Sequence, residues 1–191
     1  MFEDAVNFLK KDKDLANVIT AVGEIDFHWS DGDYFYILVQ SIVHQQLAGS
    51  AARSIFNRLI TLCKKITPEN ILNQDFNDLR SVGLSSKKIE YIQDLANKFS
   101  SFPDFSELPN DEIIDLLTSV KGIGRWTVEM FLIFSLKRED IFSYGDLGLR
   151  KAVQKLYALE SLPNKKDLDV ITTKWKPYRT IAALYLWKWL D

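Results

Sequence analysis

Apolar residues recur at intervals of three and four along most of this chain, and this spacing restricts the fold more than any other feature. Such intervals place apolar side chains on one face of an α-helix, whereas a half-buried strand needs strict alternation. The pattern is clear in the set Ile55, Leu59, Leu62 and in the set Ile89, Ile92, Leu95, Phe99. The sequence therefore predicts an all-α protein of ten or more helices.

Capping residues predict where several of these helices begin. Ser85 or Ser86 can cap a helix that runs to about Phe99. Asn110 or Asp111 can cap the next helix, because short polar side chains accept hydrogen bonds from the first amides of a helix. These two predicted helices precede residues 120–126, which carry the most informative motif of the chain.

Composition excludes several classes of protein. The single cysteine, Cys63, excludes an internal disulfide and any cysteine-built zinc or iron–sulfur site. No apolar run reaches the roughly 18 residues of a membrane span, so we expect none. The net charge of −2 is unlike the basic charge of most nucleic-acid-binding domains. Any contact with nucleic acid must therefore depend on local geometry.

Residues 120–126, VKGIGRW, predict a tight turn between two helices. Gly122 and Gly124 allow one helix to end and another to begin at once, which leaves amides of the new helix pointing outward. Such a turn is suited to bind a phosphate, and Lys121 and Arg125 add positive charge beside it. An ordinary helix–helix connection is the alternative. A dinucleotide fingerprint is disfavoured, because Thr127 stands where a third glycine is needed.

Asp146 follows a glycine and precedes an apolar helical pattern, so it is a candidate N-cap for a helix spanning about residues 147–157. The helix dipole favours the anionic form of a carboxylate at this position. An oriented, ionised carboxylate can stabilise a sugar cation, so the structural and chemical roles are compatible.

Aromatic and amide side chains supply candidates for contact with a base. Trp126 lies one step past the predicted phosphate-binding turn, and Trp187 belongs to an aromatic-rich last helix. Rings of this kind stack on a base that leaves the duplex, although core packing is their commoner use. Gln45 and Gln46 carry amides that can fill a gap in a base stack; a polar helix end is the alternative.

These motifs together resemble those of the helix-hairpin-helix base-excision DNA glycosylases. The resemblance lies in residues 121–131 and in residues 144–150, and it extends to residues 41–47, the Gly83 turn and residues 175–179. Within that superfamily the chain looks like the 3-methyladenine DNA glycosylase II branch.

The resemblance implies a two-lobed, all-α fold with the active-site cleft between the lobes. A helical barrel would comprise residues 31–137, with the helix-hairpin-helix at about residues 111–137. The second lobe would combine residues 1–30 with residues 138–191 and carry the catalytic aspartate.

The resemblance also implies roles for individual residues. Asp146 matches the catalytic aspartate, and backbone amides around Gly122 and Gly124 match the phosphate-binding turn. Trp126 and Trp187 match rings that stack on the flipped base, and Met130 stands at an aromatic pocket position. Gln46, with Gln45 beside it, matches the residue that enters the duplex as a wedge. The family implies no required cofactor, but often a monovalent cation, Na⁺ or K⁺, held here by the carbonyls of Thr118, Val120 and Ile123.

Members of the family that also cut the strand carry a lysine where this chain has Trp126. Without that amine no Schiff base can form, so we expect a monofunctional glycosylase. It would release alkylated purines of the 3-methyladenine type from damaged double-stranded DNA by base flipping and leave an abasic site.

We also expect a monomeric, cytoplasmic protein that associates with the nucleoid when it is on DNA. Two alternatives remain open. One is a non-catalytic DNA-binding or damage-sensing module with the same hairpin, and the other is a glycosylase for deaminated bases.

Overall fold

The computed structural model describes residues 2–26, 29–30 and 32–190. These residues form twelve α-helices and one 3-10 helix (Thr173–Trp175), with no strand among them, as the apolar spacing predicts. In chain order the α-helices are α1 (Glu3–Leu9), α2 (Lys13–Val22), α3 (Tyr34–His44), α4 (Gly49–Cys63), α5 (Pro68–Leu72), α6 (Phe76–Ser81), α7 (Ser86–Phe99), α8 (Asn110–Thr118), α9 (Arg125–Phe134), α10 (Leu147–Leu156), α11 (Lys165–Thr172) and α12 (Arg179–Leu190). In the described part of the chain, no helix combines the length and apolar character needed to cross a membrane.

The chain divides into two compact units. Unit 1 combines Met1–Trp29 with Leu132–Asp191, and unit 2 is the continuous segment Ser30–Phe131. The lobes expected from the sequence had bounds at residues 31 and 137, so the two divisions differ at residue 30 and at residues 132–137. The lobe bounds therefore stay a prediction.

Helix starts follow the capping residues in most places. The Ser85 hydroxyl accepts a hydrogen bond from the Lys88 amide at 3.3 Å, which fixes the start of α7 as predicted. The predicted cap of α8 is wrong. Pro109 is the N-cap residue, and the Asn110 side chain lies within the first turn, where its Oδ1 atom is buried without a hydrogen-bond partner. Pro109 adopts extended dihedrals that end the preceding loop, so the helix begins one residue earlier than the polar cap requires.

Each unit has its own apolar core. In unit 2, the rings of Tyr34, Phe99 and Phe131 surround Phe105, with ring centroids 5.7–6.2 Å from it. In unit 1, Trp175 is fully buried and most of α12 is inaccessible to solvent. Burial of large apolar side chains stabilises each unit by roughly 1.5–3 kcal/mol per residue.

Asp12 joins the two chain segments that make up unit 1. Its Oδ2 atom accepts hydrogen bonds from the Tyr157 hydroxyl and, at 2.9 Å, from the Trp175 indole, and Lys174 Nζ lies at 2.9 Å. Its Oδ1 atom caps α2 by accepting from the Asp14 amide at 3.2 Å. Although burial by itself raises the pKa of Asp12, these donors lower it below its usual value. A single carboxylate therefore connects the N-terminal helices to the C-terminal ones.

Candidate functional site

The predicted helix-hairpin-helix is present in unit 2 as α8, a turn of residues 119–124, and the start of α9. Val120 and Ile123 are buried, and the Ile123 amide donates to the Val120 carbonyl at 3.2 Å. The first hydrogen bond of α9 runs from the Val128 amide to the Gly124 carbonyl at 3.2 Å. Amides that precede this bond have no acceptor within the helix, so those of Gly124 and Arg125 can bind an anion.

The two glycines of the turn serve different purposes. Gly122 has φ +78°, and a Cβ atom added there would overlap the Tyr91 ring. Both the dihedral angle and the lack of space require glycine at this position. A Cβ atom at Gly124 would meet nothing within 4 Å, so this glycine keeps the outer surface of the turn open. An open backbone is what close approach of a phosphate needs.

Side chains of α7 hold the hairpin turn from one side. Asp94 Oδ2 accepts hydrogen bonds from the Lys121 amide at 2.9 Å and from Lys98 Nζ at 2.8 Å, and Lys98 also donates to the Ser119 carbonyl at 2.7 Å. Although burial by itself raises the pKa of Asp94, the bonds from Lys98 and Lys121 lower it below its usual value. The turn is thus fixed by α7 as well as by its own backbone.

The two cations predicted to bind phosphate both have acidic partners. Lys121 Nζ lies 2.6 Å from Glu90 Oε1, on the exposed surface. Arg125 Nε donates to Glu129 Oε1 at 2.9 Å, and Glu129 is only 4% exposed. Because both cations have acidic partners, the backbone amides are the groups of this turn that are best placed to accept an anion.

The two predicted wedge residues lie at the end of α3 but differ in their contacts. Gln45 Nε2 donates to the Gly122 carbonyl at 2.9 Å, so its side chain faces the hairpin turn. Gln46 is exposed and has φ +56°, in the left-handed region that costs a residue with a Cβ about 1–2 kcal/mol. The Gln46 side chain is thus exposed, whereas the Gln45 side chain is held against the hairpin turn.

The other predicted residues of unit 2 lie on or next to the hairpin. Trp126, in the first turn of α9, is 53% exposed, which is unusual for such a large apolar side chain. Met130 lies one turn further along α9 and is half-buried. Thr118, whose carbonyl is a predicted cation ligand, is the last residue of α8.

In unit 1, Asp146 is the N-cap of α10, as predicted. Its Oδ1 atom accepts a hydrogen bond from the Leu149 amide at 2.8 Å and a second from the Trp187 indole Nε1 at 3.1 Å. These two donors orient the carboxylate at the start of α10. The structure thus brings Asp146 and Trp187 together across 41 residues of sequence.

The surroundings of the Asp146 carboxylate restrict the Trp187 ring. The ring stacks on Phe134 with centroids 6.2 Å apart and an interplanar angle of 25°. A Cβ atom added at Gly148 would lie 3.0 Å from Asp146 Oδ1 and 3.6 Å from Trp187 Cδ1. Glycine therefore makes room for the indole to approach the carboxylate.

The sequence did not predict how the loop before Asp146 is held. Arg179 forms a two-pronged pair with Asp140, with its Nε at 2.6 Å and its Nη2 at 3.0 Å from the two carboxylate oxygens, and it donates to the Tyr144 hydroxyl at 2.9 Å. The Thr180 hydroxyl donates to the Arg138 carbonyl at 2.6 Å. The start of α12 thus anchors the loop, and the same helix carries Trp187. The motif at residues 175–179 was the only sign of these contacts in the sequence.

Comparison with known proteins places these features in one family. The family model described as "HhH-GPD superfamily base excision DNA repair protein" matches residues 39–177. The "DNA-3-methyladenine glycosylase 1" of Schizosaccharomyces pombe is 40% identical over 159 residues, which are 79% of this chain and 70% of that protein.

Two solved structures are similar over nearly the whole chain. The DNA-3-methyladenine glycosidase of Bacillus halodurans has a TM-score of 0.87 at 37% identity, covering 95% of this chain and 86% of that one. The S. pombe 3-methyladenine DNA glycosylase Mag1, solved in complex with abasic DNA, has a TM-score of 0.78 at 34% identity, covering 97% and 95%.

Proposed function

The chain belongs to the HhH-GPD superfamily of base excision DNA repair proteins, and from that premise we propose that it is a monofunctional DNA glycosylase for alkylated purines. It would hydrolyse the N-glycosidic bond of bases of the 3-methyladenine type in double-stranded DNA and leave an abasic site. The observation that carries the proposal is the Asp146 carboxylate, held by the Leu149 amide and the Trp187 indole.

The chemistry follows from the charge of the substrate. A purine alkylated at N3 or N7 is already cationic, so it leaves without a general acid. Glycosidases that act on neutral leaving groups need a second carboxyl group, but here one carboxylate suffices. Asp146 stabilises the oxocarbenium-like sugar and orients the attacking water. The water supplies the oxygen that replaces the base at C1′, and its proton is released.

Trp187 is suited to two tasks at once in this mechanism. Its indole N–H holds Asp146 Oδ1, and its half-buried ring, stacked on Phe134, presents an aromatic surface to a flipped base. Trp126 and Met130 on α9 stay predicted pocket residues. Trp126 occupies the lysine position of strand-cutting relatives, which supports base removal without a Schiff base.

The hairpin of unit 2 supports binding to the duplex backbone. Its turn offers amides near Gly124 and Arg125 to a phosphate, and the exposed Gln46 is the proposed wedge that fills the gap left by the flipped base. We propose that the protein does this as a monomer, in the cytoplasm and on the nucleoid.

A monovalent cation at the hairpin belongs to the same proposal. Carbonyl oxygens of Thr118, Val120 and Ile123 fit it chemically, because backbone carbonyls are ligands of Na⁺ and K⁺. The buried side chains of Val120 and Ile123 fix this part of the turn. DNA affinity that is higher in K⁺ or Na⁺ than in an organic cation of equal ionic strength would support it; equal affinity would count against it.

Free-base release from a panel of duplexes tests the proposed function. Chromatography should detect free alkylpurines from methylated DNA, with little release from uracil or 8-oxoguanine duplexes. Faster release of uracil would favour the deaminated-base alternative. Binding to all duplexes without release of any base would favour the non-catalytic module.

A further inference from the structure

A cation on α7 holds the end of α3. Lys88 Nζ donates to the Val43 carbonyl at 2.6 Å and to the Gln45 carbonyl at 2.8 Å. These are carbonyls of the last helical turn and its cap, where the helix dipole favours positive charge. The side chain is half-buried, and this burial lowers the pKa of Lys88. The neighbouring Lys87 is exposed.

The residue that Lys88 holds is itself bonded to the hairpin turn. Gln45 accepts from Lys88 through its backbone carbonyl and donates through its side-chain amide to the Gly122 carbonyl at 2.9 Å. Lys88, Gln45 and the Gly122 carbonyl therefore form a continuous polar connection, which we call the Lys88–Gln45 strut. It links segments that are 77 residues apart in sequence.

The middle residue of the strut, Gln45, precedes a residue whose backbone needs support. Gln46, the next residue, has φ +56° and an exposed side chain. A residue with a Cβ keeps such a conformation only where its surroundings hold it, and residues of this kind concentrate at functional sites. The charge-assisted hydrogen bond from Lys88 to the Gln45 carbonyl, together with the bond from the Gln45 side chain to the Gly122 carbonyl, provides that support.

Resting on the proposed function, we propose that Lys88 and Gln45 are positioning residues for base flipping. The strut fixes the position of the Gln46 turn relative to the phosphate-binding hairpin. Gln46 therefore enters the DNA base stack at a fixed distance from the phosphate that the hairpin binds. Gln45 thereby acts through Gln46 and not as a second wedge. Positioning of this kind matters because displacement by about 1 Å can lower a rate by about 10²-fold.

Substitution of the ammonium tests the strut with little change in packing. Lys88→Met keeps the aliphatic length of the side chain but loses both hydrogen bonds, and Gln45→Met removes the bond to Gly122. Lys88→Arg is the conservative variant that restores a cation, and Lys87→Met on the exposed surface is the matched control. Single-turnover excision is measured for a lesion in a fully paired duplex and for the same lesion in a mispaired one.

A positioning defect and a general folding defect give different results. We expect Lys88→Met and Gln45→Met to lower excision from the paired duplex by about tenfold or more. The loss from the mispaired duplex should be under about threefold, because an unpaired base flips at little cost. Lys88→Arg should recover much of the rate, and Lys87→Met should match wild type. Equal losses on both duplexes, or no loss on either, overturn the proposal.

A second readout separates this proposal from the proposed function. Fluorescence of 2-aminopurine placed beside the lesion rises when the stack opens, whether or not a base is released. Wild type should raise it, and Lys88→Met should fail to do so at saturating protein. If wild type raises it without releasing base, the proposed function fails and the strut is still tested. If Lys88→Met raises it as much as wild type, the strut fails alone.

Discussion

The hairpin turn of unit 2 and the start of α10 in unit 1, where Asp146 lies, are held in place by different kinds of contact. In the hairpin, the groups offered to a ligand are backbone amides, and a glycine at φ +78° shapes the turn. At Asp146, the offered group is a side chain, and an indole and a helix amide orient it. A change at Gly122, which shapes the hairpin turn, should therefore alter DNA affinity and stability together, whereas a change at Asp146 should alter the rate alone.

The largest expected effect is that of Asp146→Asn. Asparagine is as good an N-cap as aspartate, so α10 should keep its start and the protein its melting temperature. Loss of the negative charge should lower single-turnover excision by about 10²-fold or more. A variant that melts normally and excises at the wild-type rate would limit Asp146 to capping and would remove the contrast with the hairpin.

Gly122→Ala should lower both the stability of the protein and its affinity for DNA. The added Cβ would overlap the Tyr91 ring in a left-handed conformation, so we expect a loss of about 1–3 kcal/mol in the free energy of unfolding and weaker binding to DNA. Gly124→Ala is the control, because its Cβ meets no atom within 4 Å. It should weaken DNA binding with little change in melting temperature. Equal stability of the two variants would show that Gly122 does not shape the turn.

Trp187→Phe should lower the rate by a smaller factor. The substitution keeps an aromatic ring against Phe134 but removes the indole N–H that bonds Asp146 Oδ1. A lost hydrogen bond of about 1 kcal/mol corresponds to roughly fivefold in single-turnover rate. Trp189→Phe is the matched control, because Trp189 contacts Lys155 instead. Equal rates for both variants would show that the indole bond does not matter to the reaction.

Asp12→Asn should change how the stability of unit 1 depends on pH. The pKa of Asp12 lies below its ordinary value of 3.8 in the folded protein. Its contribution to stability is thus present above pH 3.8 and is lost as the pH falls through the lower folded value. The variant should be less stable by about 1–3 kcal/mol at neutral pH and should lose less stability than wild type on acidification below about pH 4. If the melting temperatures of wild type and Asp12→Asn fall in parallel between pH 7 and pH 3, the prediction is contradicted.

Local features of the sequence predicted much of both regions. Asp146 caps the helix predicted at residues 147–157, which spans Leu147–Leu156, and Ser85 caps α7. Arg125 and Glu129 pair one helical turn apart, as side chains at that spacing do. Such features depend on neighbours within a few residues, so their pattern is visible in sequence. The predicted cap of α8 was wrong because Pro109 precedes the polar Asn110. The sequence alone does not show which of these two residues adopts the non-helical dihedrals of an N-cap.

The long-range contacts that orient the site residues, or that join the two segments of unit 1, could not be predicted in this way. Lys88 and Val43 are 45 residues apart, Trp187 and Asp146 are 41 apart, and Asp12 and Trp175 are 163 apart. Which partner a side chain finds at such separations depends on how the helices pack. The sequence therefore supplied candidate site residues, but not the groups that hold them in place.

The most direct test follows one duplex with a single 3-methyladenine-type lesion through both possible reactions. Base release is measured by chromatography, strand cutting by gel electrophoresis without alkali, and Schiff-base formation by borohydride trapping. We expect free alkylated base, an intact strand that breaks only after alkaline treatment, and no trapped complex. Failure to release the base, or a borohydride-trapped covalent complex, would contradict it.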